Sequence, residues 1–249
     1  MLHYVRQGSG ETIVLIHGFL AGGKIFQELM DKLAVHYDVI AVDLPGHGKS
    51  KVEVQAYTVE AYAEAIIEVL QHENVDQATW LGHSMGGYIT LAAMANELFP
   101  IPKAILLHSA VNADTEETKE KRTTQQIEIK KDGVDAFVNK VVPNFLAENS
   151  PARLVEKARS IASEASIEGL VAALEAMKAR TTRESFINET STPVLIIEGA
   201  NDHVVPPILT NNEAVTKVTV NSGHLGMIED VDGVFHAIYR FLNNNDNNA

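Results

Sequence analysis

Ser84 stands in the run W-L-G-H-S-M-G-G at positions 80–87, with glycine two residues to either side. An apolar run precedes it and another follows. A serine so placed occupies a very tight strand-to-helix turn. Its backbone is expected at positive φ, at a cost on the order of 1 kcal/mol for a residue other than glycine. Gly82 and Gly86 remove the Cβ atoms that would collide where strand and helix cross closely. Such a turn lifts the hydroxyl above the sheet edge and aims the amide of Met85, the first of the new helix, at the same space. That is the geometry of an exposed nucleophile with an oxyanion donor beside it. A serine hydroxyl is a poor nucleophile near neutral pH. It needs a base within hydrogen-bond reach, and the base needs an orienting carboxylate. Two later loops offer these groups. After P-V-L-I-I-E comes G-A-N-D-H-V-V-P, carrying Asp202, and after K-V-T-V-N comes S-G-H-L-G, carrying His224.

The elements that must position these residues follow from the apolar pattern. Residues 12–16, 38–42, 78–81, 103–108, 193–198 and 217–220 read as strands, several of them apolar on both faces. Residues 24–36, 59–71, 84–98 and 232–242 carry apolar side chains at helical spacing. Continuously apolar strands alternating with helices predict an α/β fold, a doubly wound and mostly parallel sheet. Parallel strands all end on one side, so Ser84, Asp202 and His224 are expected on the same sheet edge. The alternation stops between 111 and 188, where helical stripes run through Val134, Phe137, Val138 and Val141, through Leu154, Ala158 and Ile161, and through Leu170, Leu174 and Met177. The expected division is a core of 1–110 and 189–249 interrupted by a helical insertion at 111–188, with no free linker.

The segments L-I-H-G-F, D-L-P-G-H-G-K-S, G-H-S-M-G-G, G-A-N-D-H-V-V-P and S-G-H-L-G-M-I-E together resemble the α/β-hydrolase fold superfamily, over nearly the whole chain. The resemblance is to serine esterases and lactonases with a helical cap. It implies Ser84 as nucleophile, His224 as general base and acid, and Asp202 as its orienter. The backbone N–H of Phe19 would be the second oxyanion donor beside that of Met85. The insertion would be a small four-helix lid. The implied activity is hydrolysis of a carboxylic ester or lactone of a small, partly apolar substrate through a seryl acyl-enzyme, with no cofactor. The same triad serves carbon–carbon bond hydrolysis, thioester hydrolysis, haloperoxidase and menaquinone-pathway lyase chemistry in relatives, and some relatives are slow-turnover ligand sensors. Serine at the elbow argues against the haloalkane dehalogenases and epoxide hydrolases, which use aspartate there. Two departures are visible. Many relatives open with an antiparallel hairpin, whereas only residues 2–6 precede the H-G strand here, so the first strand is expected to be missing or very short. Some relatives place the acid after the strand before the cap, where Asp114 lies nearby, but strand position favours Asp202.

Leu20, His108, Phe137, Val141 and Val204 are the candidates for lining a substrate pocket. Of the cap residues Phe137, Val141, Phe145 and Leu174, one or two are expected to face the cleft, and the sequence does not choose among them. G-H-G-K-S at 46–50 imitates the end of a phosphate loop, but position 43 is Asp rather than Gly and Pro45 removes a cradle amide. It reads as a structural turn. Ten histidines contain no H-E-x-x-H and no close pair at ligand spacing, so no metal site is expected. His17 is expected to brace the oxyanion loop, His83 to pack, and His203 to point away from the site. The 249 residues include no cysteine and carry a formal charge of -13. This balance argues against a nucleic-acid footprint or a polybasic membrane anchor. The opening M-L-H-Y-V-R-Q-G shows no signal-peptide pattern and no run is long enough to span a bilayer, so the cytoplasm is the expected compartment. The polar end N-N-N-D-N-N-A is expected to fray. Nothing in the sequence sets an oligomeric state.

Overall fold

A computed structural model describes residues 1–52 and 57–243. The polar tail expected to fray falls almost wholly outside these residues. Seven strands form one sheet: β1 (Tyr4–Gly8), β2 (Thr12–Ile16), β3 (Asp38–Val42), β4 (Thr79–His83), β5 (Ala104–Leu107), β6 (Val194–Gly199) and β7 (Val215–Val220). Their order across the sheet is β1-β3-β2-β4-β5-β6-β7. Only β1 is antiparallel, pairing Tyr4 with Val42 and Gly8 with Asp38. The α/β, mostly parallel sheet read from the sequence is therefore the observed one. β3, β4 and β5 are buried at every residue, as strands covered by helices on both faces must be.

The helices of the sheet are α1 (Gln27–Leu33), α2 (Val59–His72) and α3 (Met85–Ala95). Between β5 and β6 come α4 (Glu116–Asp132), α5 (Val134–Val141), α6 (Ala152–Ala162), α7 (Ile167–Ala179) and α8 (Glu184–Glu189). After β7 come α9 (Gly226–Glu229) and α10 (Val231–Asn243). Local chemistry starts several of them. Thr58 accepts the Ala61 N–H at 3.1 Å at the head of α2, and Ser166 accepts the Gly169 N–H at 3.0 Å at the head of α7. Each satisfies an amide that the helix itself cannot. α3 is apolar all round and buried along most of its length, so it runs through the core rather than over it. Of the insertion, α8 sends Ile187 into a separate apolar cluster with Leu106, Val194 and Ile196 of β5 and β6.

The first strand differs from expectation in kind. No hairpin precedes β2, but β1 is a full five-residue strand. It covers the outer edge of β3, which would otherwise leave its ladder groups unpaired. Arg6 fixes it there, holding Asp38 with two nitrogens at 2.9 Å each. β4 is also longer than the pattern indicated. It carries the pairing on through Gly82 and His83, opposite Leu106 and Leu107, so the chain is still in the sheet one residue before Ser84.

The glycines around Ser84 are there for space. A Cβ on Gly82 would lie 2.3 Å from the Gly86 carbonyl oxygen, and one on Gly86 would lie 2.2 Å from the carbonyl oxygen of Ile16. Both obstacles are backbone and cannot turn aside. Gly86→Ala is therefore expected to lower the unfolding free energy by about 2–3 kcal/mol, the upper range for an overpacked interior. Urea unfolding at neutral pH checks this. An unchanged midpoint would mean that α3 does not approach β2 as closely as the backbone indicates.

Candidate active site

Ser84 is half-buried at the turn between β4 and α3, with φ 52 and ψ -115. The turn is held by the Ser84 N–H donating to Leu107 O at 3.0 Å and by two donors on the Ser84 carbonyl, Gly87 N at 2.9 Å and Ser109 Oγ at 2.8 Å. Leu20 (φ 56) and His108 (φ 47) share this left-handed backbone. They follow β2 and β5, so three strained turns sit side by side at one sheet edge, at residues that lack glycine's freedom. Strain of this kind persists only where the surroundings over-determine it, and it gathers at functional sites.

Asp202 follows β6 and His224 follows β7, on that same edge. His224 Nδ1 lies 2.8 Å from Asp202 Oδ2, and the His224 side chain is 2% exposed. An imidazole with Nδ1–H held by a carboxylate presents its Nε2 as a base. His83, next to Ser84, donates from Nε2 to the His224 carbonyl at 2.8 Å and so ties the His224 loop to the elbow. Burial opposes ionisation of Asp202. The rings of His108 and His224 and the Val204 amide outweigh it, and the carboxyl is held well below the usual carboxylate range. The alternative acid, Asp114, is taken by other partners. Its buried carboxylate pairs with Arg122 and, at 2.6 Å, with Arg180.

The loop after β2 lies against Ser84. A Cβ on Gly18 would meet the Ser84 Cβ at 2.9 Å, which puts the next amide, that of Phe19, beside the elbow. Met85 opens α3, whose first amides have no carbonyl partner inside the helix. His17 braces the loop as expected, accepting the Leu44 N–H on Nε2 at 2.9 Å and donating from Nδ1 to Gly18 O at 2.7 Å. The D-L-P-G-H-G-K-S segment forms a turn around Asp43, whose carboxylate accepts the N–H of Gly23 at 2.7 Å and of Lys49 at 3.0 Å.

The pocket candidates separate. Phe137 meets the Phe19 ring edge-on, with centroids 6.3 Å apart, and Val141 is half-buried nearby on the same helix. Val204 lines a cavity of about 630 Å³ with Tyr88, Val111, Val205 and Pro206. Leu20 turns inward and is 4% exposed, part of the main core. His108 does not face this cavity. Its side chain is wholly buried, 3.4 Å from Asp202, because the left-handed turn after β5 directs it behind the carboxylate. Leu174 is likewise buried in helix packing, whereas Phe145 stands edge-on to His224 with ring centroids 5.6 Å apart. His203 is exposed.

A family description, the alpha/beta hydrolase fold, matches residues 11–147, more than half of the chain. The chain belongs to the alpha/beta hydrolase fold family. An uncharacterized hydrolase of Bacillus subtilis (strain 168), YugF, is 39% identical over 43% of this chain and 40% of its own length, so that match spans about two fifths of the relative. The pimeloyl-[acyl-carrier protein] methyl ester esterase of Xanthomonas campestris pv. campestris (strain B100) is 26% identical over 97% of this chain and 98% of its own. Among solved structures, a thermophilic esterase from Thermogutta terrifontis superimposes with a TM-score of 0.91 at 25% identity, covering 98% of this chain and 93% of that one.

Against this family frame, sequence reasoning missed Glu229. Its carboxylate accepts the Leu225 N–H at 3.1 Å, beside His224, and also the Ala147 N–H at 2.8 Å and the Ser150 hydroxyl at 2.6 Å. His224 itself donates its N–H to Phe145 O at 2.7 Å. The residues 145–150 of the insertion are thus strapped to the His224 loop. The only signal was the glutamate closing S-G-H-L-G-M-I-E. Among the described residues no cluster of three metal-binding side chains occurs, and no helix is long and apolar enough to cross a membrane.

Four imidazoles are buried without charge. Burial lowers His17 to about 4 and His47 to about 3, the latter also through His17, and it lowers His83 and His108 below their ordinary value. Unfolded, each would protonate near pH 6.5. Their contribution is therefore fully present above that pH and is lost as pH falls towards 4 and 3, at about 1.4 kcal/mol per pH unit for each neutral ring. The unfolding free energy in urea is expected to drop steeply from pH 7 to 5, with an uptake of at least about two protons on unfolding near pH 5, those of His17 and His47. A flat profile over that range would mean that these rings are not buried neutral.

Proposed function

We propose that this chain is a serine hydrolase that cleaves a carboxylic ester or lactone of a small, partly apolar substrate through a seryl acyl-enzyme. The carrying observation is the His224–Asp202 pair, joined through His83 to the strained Ser84 turn, with the amides of Phe19 and Met85 on the same edge. In this reading Ser84 Oγ attacks the carbonyl carbon while His224 Nε2 takes its proton. The imidazolium is stabilised by Asp202, and the oxyanion by the two amides. Collapse expels the alcohol, which leaves with the proton from His224. A water deprotonated by His224 then attacks the seryl ester and frees the acid.

The esterase names of the full-length Xanthomonas relative and the Thermogutta structure support an ester as the bond cleaved. The surroundings support a partly apolar substrate, with Phe19, Phe137 and Phe145 on the insertion side and Val111, Val204 and Val205 on the Asp202 side. Wild type and Ser84→Ala incubated with p-nitrophenyl acetate, butyrate and octanoate test the reading. Sustained release by the wild type, lowered about 10³-fold or more by Ser84→Ala, is the expected outcome. Turnover that survives the substitution, or a Ser84 that a fluorophosphonate leaves unlabelled, would remove serine from the mechanism.

A further inference from the structure

Two imidazoles, not one, converge on the Asp202 carboxylate. His224 Nδ1 reaches Oδ2 at 2.8 Å, and His108 Nδ1 faces the same oxygen at 3.4 Å. The second contact is longer than an ideal hydrogen bond, so its attraction is chiefly that of an N–H dipole for an anion. The direction of that dipole is set from behind. The Gly226 N–H donates to His108 Nε2 at 3.2 Å. A backbone amide only donates, so Nε2 of His108 must be bare and its proton must sit on Nδ1, towards Asp202. The nearby Ser222 hydroxyl, 3.5 Å from Nε2, already donates to Gly223 O at 3.0 Å. The amide can come so close because position 226 has no side chain. A Cβ there would lie 2.3 Å from His108 Nε2.

We propose that His108 is a positioning residue of the active site, which fixes the Asp202 carboxylate and draws part of its negative charge away from His224. This rests on the serine-hydrolase reading above. Asp202 then accepts two hydrogen bonds, from His224 on Oδ2 and from the Val204 N–H on Oδ1, each at 2.8 Å, while His108 Nδ1 faces Oδ2 at 3.4 Å. The ring centroids of His83, His108 and His224 lie 4.9 to 6.2 Å apart. The titratable and charged groups facing them are Asp202 from the loop after β6 and Glu229 from α9. Burial keeps His83 and His108 neutral, and a proton on either would repel one on His224. His108 is therefore a fixed neutral dipole facing the carboxylate.

The test compares wild type, His108→Leu and His108→Asn by the pH dependence of kcat/KM on the best p-nitrophenyl ester, with Ser84→Ala alongside. Leucine removes the donor. Asparagine places an amide N–H near the Nδ1 position and tolerates the left-handed backbone. Without the donor, more of the Asp202 charge falls on His224, whose conjugate acid is then stabilised. The acidic limb of His108→Leu is expected to move up by about 0.5–1 pH unit, with a plateau kcat about tenfold lower and KM within about twofold. His108→Asn is expected to bring the limb back to the wild-type position. A limb that does not move in His108→Leu, or moves equally in both variants, while Ser84→Ala is inactive, would overturn the inference alone. An active Ser84→Ala would overturn the reading beneath it. If His108→Leu does not fold, ¹⁵N spectra of histidine-labelled wild type decide the matter. His108 should be the neutral Nδ1–H tautomer at neutral pH, whereas an Nε2–H tautomer would refute the proposal.

Discussion

α3 can begin where it does only because no Cβ stands between it and the ends of β2 and β4. The contact at this crossing is backbone against backbone, Gly86 on Ile16 and Gly82 on Gly86. Everything else at the carboxyl edge follows from it. The sharp approach forces Ser84 into a left-handed turn, and the turn is then clamped by Leu107 and Ser109 from β5 and the residues after it. The strain is held by pairing in the buried middle of the sheet, where local relaxation would break ladder bonds on both sides. A hydroxyl on a flexible loop would have to be ordered anew each time it met a substrate.

How much of this the sequence discloses depends on how each feature is built. Most of the parallel strands bury both faces, so they leave unbroken apolar runs from which much of the order of elements is readable. The elbow and the aspartate loop each lie directly after such a run and the histidine loop after the more exposed β7, and the structure sets Asp202 and His224 in contact. β1 was harder to see because four of its five residues are exposed and it carries no apolar run; only pairing with β3 makes it a strand. α8 is short and contributes one buried residue, Ile187, so its pattern blends into the insertion.

His108 shows a different limit. Its place at a strand end was legible, and its side-chain direction was not. A residue at ordinary β dihedrals there would project according to the pleat. At φ 47 it turns behind the acid instead. No residue type announces that choice; it is settled by the amide of Gly226, more than a hundred positions later, and by the crowding of three rings. Glu229 is similar. It looks like one more solvated acid of an acidic chain, and only the fold brings its carboxylate between two segments that sequence places about eighty residues apart.

That strap of Glu229 sets terms for how the site breathes. Its carboxylate and the His224 N–H together bind residues 145–150 to the loop that bears the imidazole. Any motion that lifts this stretch of the insertion must release these bonds to the loop that bears His224. Raising this stretch and loosening the His224 loop are one event. On the other flank Val204 and Pro206 line a cavity of about 630 Å³ that this strap does not touch.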